Sequence, residues 1–221
     1  MQISIAPELQ ARWPQTALGV LVYEVQVAPS SPALLARLDQ AIAQLAGQFT
    51  LDTIAQQPHI AATRQAYKAL GASPHDHRNA AEAMLRRLVK QAGLYHINNV
   101  VEVNNLLSIS SGYAIGSYDL GQLQGPVVLD TPPDGTRYEG IGKGALTIAH
   151  LPVLRDDLGW FGNPSSDSRR AMIQPGKRQV ASVLYAFDGP QGLEPWLAEF
   201  AQALEEFCGV TDLQQYILSC H

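Results

Sequence analysis

Cysteine is nearly missing: Cys208 and Cys220 are the only two in 221 residues. Two isolated thiols give neither metal-ligand spacing nor a disulfide framework, and they fit a reducing, cytoplasmic setting. No apolar run approaches the roughly 20 residues of a membrane span, so no membrane partner is expected. The opening MQISIAPELQARWP lacks a basic start and an apolar h-region, so no signal peptide is expected. Charge is sparse as well. Asp, Glu, Lys and Arg make up 16% of the chain and the net charge is −5, which argues against wholesale binding of nucleic acid by a basic surface. No serine stands in a G-x-S-x-G elbow. Gly140-Ile141-Gly142-Lys143-Gly144 lacks the full G-x-x-x-x-G-K-[ST] pattern and reads as a β-turn rather than a phosphate loop. His75-Asp76-His77 has i, i+2 spacing and no identifiable third ligand, so neither a metal nor another cofactor is expected.

What remains is an ordinary globular composition, 46% hydrophobic, in a chain long enough for a substantial core. One domain spanning residues 1–221 is expected. The charges are unevenly placed. Arg64, Lys68, Arg78, Arg86, Arg87 and Lys90 face only Asp76 and Glu82 between residues 64 and 90, whereas residues 194–212 hold five anions and no cation. One half is therefore suited to RNA while the whole stays soluble, and two solvated helix faces of opposite sign would read the same way.

Residues 18–27, LGVLVYEVQV, predict a strand. Ser30-Ser31-Pro32 starts a helix that runs to about Gly47, a second runs from near Pro58 through Leu70 to Gly71, and a third spans roughly Asn79 to Gln91. Short β-runs alternate with turns from Pro126 to Leu151, and residues 152–179 look irregular. Residues 180–187 predict a strand buried on both faces, and Glu194 to Cys208 a closing helix. The order implies an α+β fold, with a β-rich centre, helices packed from the N-terminal half and a C-terminal helix.

The stretch from Leu94 to Asp119, LYHINNVVEVNNLLSISSGYAIGSYD, stands out. Val100, Val103, Leu106 and Leu107 recur at helical spacing, yet Asn98, Asn99, Asn104 and Asn105 crowd around them. Asparagine competes with the backbone for hydrogen bonds inside helices, so one of the four is explained as a cap and the others ask for a further reason. Ser110 to Ser117 reads as a small-residue exit turn with accessible backbone amides.

This segment resembles the signature of the B3/B4 domain, the editing module of the beta chain of bacterial phenylalanyl-tRNA synthetase. That signature reads approximately N-x-V-V-D-V-x-N, a turn of helix, then G-x-P-x-x-x-[FY]-D. Asn98, Val100, Val101, Glu102, Val103, Asn105, Gly112, Tyr118 and Asp119 fall on matching positions. The resemblance extends over about residues 64–188, leaving 1–63 and 189–221 as elaborations, and is stronger to free-standing proteins of this type than to a synthetase fragment. It implies hydrolysis of a misacylated aminoacyl-tRNA ester, with tRNA or its aminoacylated 3′ end as partner and the amino acid moiety in a pocket. Asn98, Asn105, Ser117, Asp119 and His96 are the catalytic candidates, and Asn99, Glu102, Gly116 and Tyr118 would line the pocket. The synthetase module carries histidine where this chain has Gly116, and its tyrosine-reading glutamate falls near Ser165 or Ser166, so misacylated tyrosine is not the expected substrate.

The second candidate is the loop 155–170, RDDLGWFGNPSSDSRR, because long irregular loops in compact domains tend to be functional. Gly159, Ser165, Ser166, Asp167, Ser168 and Arg170 join the substrate-binding set, the last three supported by a similar D-S-x-R run in free-standing relatives. Arg86, Arg87 and Lys90 are the RNA-binding candidates. The leading expectation is a trans-editing deacylase. A non-catalytic RNA- or tRNA-binding module and a binder of a free amino-acid-like metabolite are the alternatives.

Overall fold

In a computed structural model describing residues 2–219, local signals set most element boundaries. Ser31 caps α2 (Pro32–Leu45), its hydroxyl accepting from the Leu34 amide with Pro32 at the first position. Pro58 opens α3 (Pro58–Leu70), and Gly71, at φ 100°, closes it in the left-handed conformation that glycine adopts without a Cβ clash. Asn79 caps α4 (Ala80–Val89) by accepting from the Glu82 amide. Before these come β1 (Ile3–Ile5), α1 (Pro7–Arg12) and β2 (Ala17–Val27); after them α5 (Asn99–Ser111), β3 (Ala114–Asp119), β4 (Val127–Asp130), the pair β5 (Arg137–Gly140) and β6 (Gly144–Thr147), β7 (Val153–Asp156), β8 (Gly159–Gly162), β9 (Gly176–Ala186), α6 (Leu193–Cys208) and β10 (Leu213–Ser219). The fold is α+β.

Two four-stranded sheets stack. The first has the order β10-β2-β9-β3 and is antiparallel throughout. The second, β1-β4-β7-β8, has one parallel pair, β1 with β4. β5 and β6 form a separate hairpin. Leu21, Tyr23 and Leu184 of the first sheet pack under Leu34, Leu38, Val100, Val103, Leu107 and Phe200 of the helices. Its other face presents Leu18, Val20, Val183 and Tyr185 to Ile3, Leu129, Leu154 and Phe161 of the second sheet. β2 and β9 are thus covered on both sides, as their continuous apolar character requires. A smaller cluster of Tyr67, Ala72, Ile148, Leu151 and Val153 ties α3 to the β5–β6 region.

Three details depart from expectation. Residues 152–179 are more regular than their glycines suggest, because Asp157-Leu158 is the bend of a β7–β8 hairpin and β9 already starts at Gly176. The helix exit is no open turn: Gly112 (φ 84°) ends α5, and the chain enters β3, whose Gly116 pairs with Val183 and Ser117 with Ser182. A last strand, β10, follows α6 and pairs along β2. Cys208 is a free thiol, pushed up to about 12 by burial with Glu102 nearby, and Cys220 lies outside the described residues. No helix among the described residues is long and apolar enough to cross a membrane.

Candidate functional site: a basic cleft beside an asparagine-rich helix

α5 is central rather than amphipathic, with Val100, Val103, Leu106, Leu107 and also Asn99, Glu102, Asn104 and Ser108 buried. Each buried asparagine has a local task. Asn98 is the cap, its Oδ1 accepting from the Val101 amide at 2.9 Å. Asn99 fastens the helix to the end of β2, accepting from the Ala28 amide at 3.1 Å and donating to the Gln26 carbonyl at 3.0 Å. Asn104 donates to Ser117 Oγ at 2.8 Å, Ser117 and Ser182 hydroxyls lie 2.5 Å apart, and Tyr23 Oη is 2.8 Å from Ser182. That chain of side chains bonds helix to sheet in a low-dielectric interior where an unmade bond is costly. Asn105 is partly buried and has no side-chain hydrogen-bond partner among the described residues. Glu102 accepts from the Ile97 amide at 2.8 Å and sits 3.4 Å from the exposed His96, while its second oxygen is buried without a partner.

β3 carries Tyr118 into the space between the sheets. Its hydroxyl donates to Asp167 Oδ1 at 2.9 Å and lies 2.7 Å from Tyr185 Oη. The ring meets Phe161 edge-on and packs close against two glycines: a Cβ at Gly116 or at Gly162 would collide with the Tyr118 phenol. Gly116 is therefore the floor under Tyr118. Asp167 also accepts from the Asn163 amide at 3.2 Å. Burial pushes its carboxyl up to about 7, against the lowering pull of Tyr118, the Asn163 amide and Lys143. Asp119 caps the next turn by accepting from the Gly121 amide and lies 3.4 Å from Arg178.

In the loop, Arg170 reaches both oxygens of Asp156, at 2.8 and 3.2 Å, and the carbonyl of Gly159 at 3.0 Å. Ser168 caps the short turn that follows by accepting from the Arg170 amide. Both hold the β7–β8 hairpin in place. Asn163, Ser165 and Ser166 face elsewhere. They line a cleft of about 350 Å³ together with Arg78, Arg86, Arg87 and Lys90 from the α4 region, Lys143 from the β5–β6 tip, and Asp76 and His77. Five permanent cations meet one aspartate there. Burial lowers the pKa of His77. The loop is held rigidly. Asn163 Oδ1 accepts from the amides of Ser165 (2.7 Å) and Ser166 (3.0 Å), its Nδ2 donates to Tyr138 Oη (2.6 Å), and Tyr138 donates to the Ser166 carbonyl. Tyr67 Oη lies 2.8 Å from Ser165 Oγ, and Lys143 Nζ donates to Ser166 Oγ at 2.6 Å.

Beneath the cleft, buried Glu82 collects three guanidiniums: Arg64 at 3.0 Å, Arg78 at 3.8 Å and Arg86 at 3.9 Å. A second cavity of about 250 Å³ is also lined by Arg78 and Arg86, so the two openings share a basic wall. Lys90 is exposed at the end of α4, and Arg87 donates to the carbonyls of Ala92 and Gly93. Of the residues proposed from the sequence, the cleft gathers Arg86, Arg87, Lys90, Ser165 and Ser166. It does not include Asn98, Asn99, Glu102, Asn105, Ser117, Asp119 or His96, and Asp167 adjoins it through Asn163. Among the described residues no group of three His, Cys, Asp or Glu side chains is arranged for a metal.

Residues 62–168 match the model of the B3/4 domain family. That segment of the chain is similar to the B3/4 domain. No curated protein sequence matches it. Among solved structures it is similar to an N-terminal fragment of the phenylalanyl-tRNA synthetase beta-subunit from Pyrococcus horikoshii, at 11% identity and a TM-score of 0.50, over 98% of this chain and 53% of that one. The chain thus spans about half of the fragment's length, and the likeness is one of fold. The B3/4 segment supplies α4, α5, β3 and the Asn163–Ser166 loop, while β2, β9 and β10 lie outside it and complete the first sheet. Sequence reasoning missed three wall residues inside this B3/4 segment. Asn163-Pro164-Ser165-Ser166 is an asparagine-led turn whose amide was available to order the serines. Lys143 was hidden in a run read only as a turn, and Arg78 was counted among charges but not placed.

Proposed function

We propose that this B3/4 domain protein binds the 3′ end of an aminoacyl-tRNA in the basic cleft and hydrolyses the aminoacyl ester there. The observation that carries the reading is the cleft itself, where five cations against one carboxylate adjoin a hydroxyl-rich loop in about 350 Å³. Even with Arg78 and Arg86 sharing Glu82, the cations are in surplus, and such a surplus draws phosphate and releases its counterions. Arg78, Arg86, Arg87 and Lys90 would hold the RNA backbone. Lys143, fixed on Ser166, would face the ester, and its ammonium suits the negative charge that builds on a carbonyl oxygen under attack by water. No protein nucleophile is required. The fold shared with a tRNA synthetase subunit fragment supports tRNA as the RNA.

A second reading, a module that binds tRNA without cleaving it, is favoured by the internal bonding of Asn98, Asn99, Asn104, Ser117 and Asp119. A panel of mischarged tRNAs separates the two. Deacylation above the buffer rate, lost in Lys143→Ala, supports the hydrolase. Binding without deacylation leaves the second reading. In either case Lys90→Ala should lower the salt slope of log affinity by about 0.7–0.9, and affinity indifferent to salt overturns both.

A further inference from the structure

We propose that Tyr95, backed by Arg87, is a stacking platform for an unpaired base of the RNA strand that enters the cleft; this rests on the reading of the cleft as an RNA site. Tyr95 is 68% exposed and Ile97 62%, the two most exposed large apolar residues described. Both lie between α4 and α5, in a segment without regular structure whose course is nonetheless fixed. Gln91 (φ 56°) and Gly93 (φ 61°) turn the chain back in the left-handed conformation. Arg87 pins that turn by donating to the Gly93 carbonyl at 2.9 Å and the Ala92 carbonyl at 3.1 Å, and Glu102 anchors the far end at the Ile97 amide.

The same Arg87 guanidinium lies over the Tyr95 ring, 4.4 Å from its centroid. With one face backed by a cation and most of the residue exposed, the opposite face is open to solvent. The ring is flat, rigidly supported and attached to a residue that lines the cleft. Sites for single-stranded nucleic acid combine these parts: a positive groove tracks the phosphates while aromatic faces and Arg planes take the bases. The positive potential of Arg86, Arg87 and Lys90 selects a polyanion over a protein helix for this face. The unpaired nucleotides at an RNA 3′ end fit it, because only a base freed from a duplex presents both of its faces.

The test uses the full chain and two labelled RNA hexamers with identical backbones, one carrying bases and one abasic, read by fluorescence anisotropy. The wild type is expected to prefer the base-bearing strand by about tenfold, the scale of one stacked base. Tyr95→Ala should erase that preference while keeping the abasic affinity and its salt slope, and Tyr95→Phe should retain it. Circular dichroism and melting of Tyr95→Ala should match the wild type, since the ring is exposed. Equal wild-type binding of the two strands, or a preference that survives Tyr95→Ala, overturns the platform and leaves the cleft standing. Failure to bind either strand overturns the RNA site itself, and the platform with it.

Discussion

Two stretches hold most of the polar side chains suited to chemistry, and they use them in opposite ways. Around α5 most of the buried polar groups are paired inward: Asn98 to Val101, Asn99 to Gln26 and Ala28, Asn104 through Ser117 and Ser182 to Tyr23. Around α4 the charges are in surplus, three guanidiniums sharing Glu82 and further cations opening onto the cleft. Polarity buried in a folded chain has to be satisfied, so it records architecture. Charge left unmatched at a concave surface needs something from outside to balance it. The more conspicuous pattern in the sequence is therefore the structural one, and the pattern we propose to be functional is a loosely scattered set of basic residues gathered by the fold.

The largest expected effect tests the charged side. Glu82→Gln leaves Arg64, Arg78 and Arg86 without their shared counter-charge. It should cost roughly 2–3 kcal/mol in urea unfolding, less than the ~3–5 of a fully buried pair because Arg78 and Arg86 reach solvent. A loss under about 0.5 kcal/mol would mean that the guanidiniums need no internal partner, and the contrast with α5 would disappear.

Asp167 joins the two regions, bonded to Tyr118 of β3 and to the Asn163 amide of the cleft loop. Its folded-state pKa of about 7 stands above the ordinary 3.8, so the folded protein holds this proton where the unfolded chain has lost it. Its contribution is therefore fully present below about pH 4 and declines as pH rises towards 7, by at most ~1.4 kcal/mol per unit. Asp167→Asn should flatten that decline, which across these roughly three units amounts to at most ~4 kcal/mol, in denaturant titrations at stepped pH. An unchanged profile would remove Asp167 as the link.

Smallest is Asn98→Ala, expected to cost about 1 kcal/mol as a lost helix cap, with RNA affinity and any deacylation rate unaltered. A fall in rate at unchanged stability would return Asn98 to the catalytic set.

How far the chain could be read without coordinates follows from the range of each signal. Pro58 and Gly71 bracket α3, and Ser31 with Pro32 starts α2, because caps act within one turn. β2 announced itself by a run of apolar, β-branched residues. The asparagines could not be assigned, since their partners sit at Ala28, Gln26 and Ser117, and nothing local separates an amide bonded across the fold from one facing a ligand. β3 was taken for a turn because Gly116 and Ser117 are small; they are small to admit Tyr118 and to join the Ser182 network. The cleft was half legible. Its cations were counted between residues 64 and 90, but Lys143 and Asn163 reach it only by tertiary packing.

Tyr118 fills a slot whose two walls are bare backbone, at Gly116 and Gly162. These three positions consequently behave as one swappable cassette. In this backbone an imidazole at 116 is admissible only if the phenol at 118 shrinks or swings away, and a methyl at 162 demands the same concession. Divergence at 116 is then tied to the seat of the ring two residues along the same strand, and Gly116→His should refold poorly unless Tyr118 is trimmed with it.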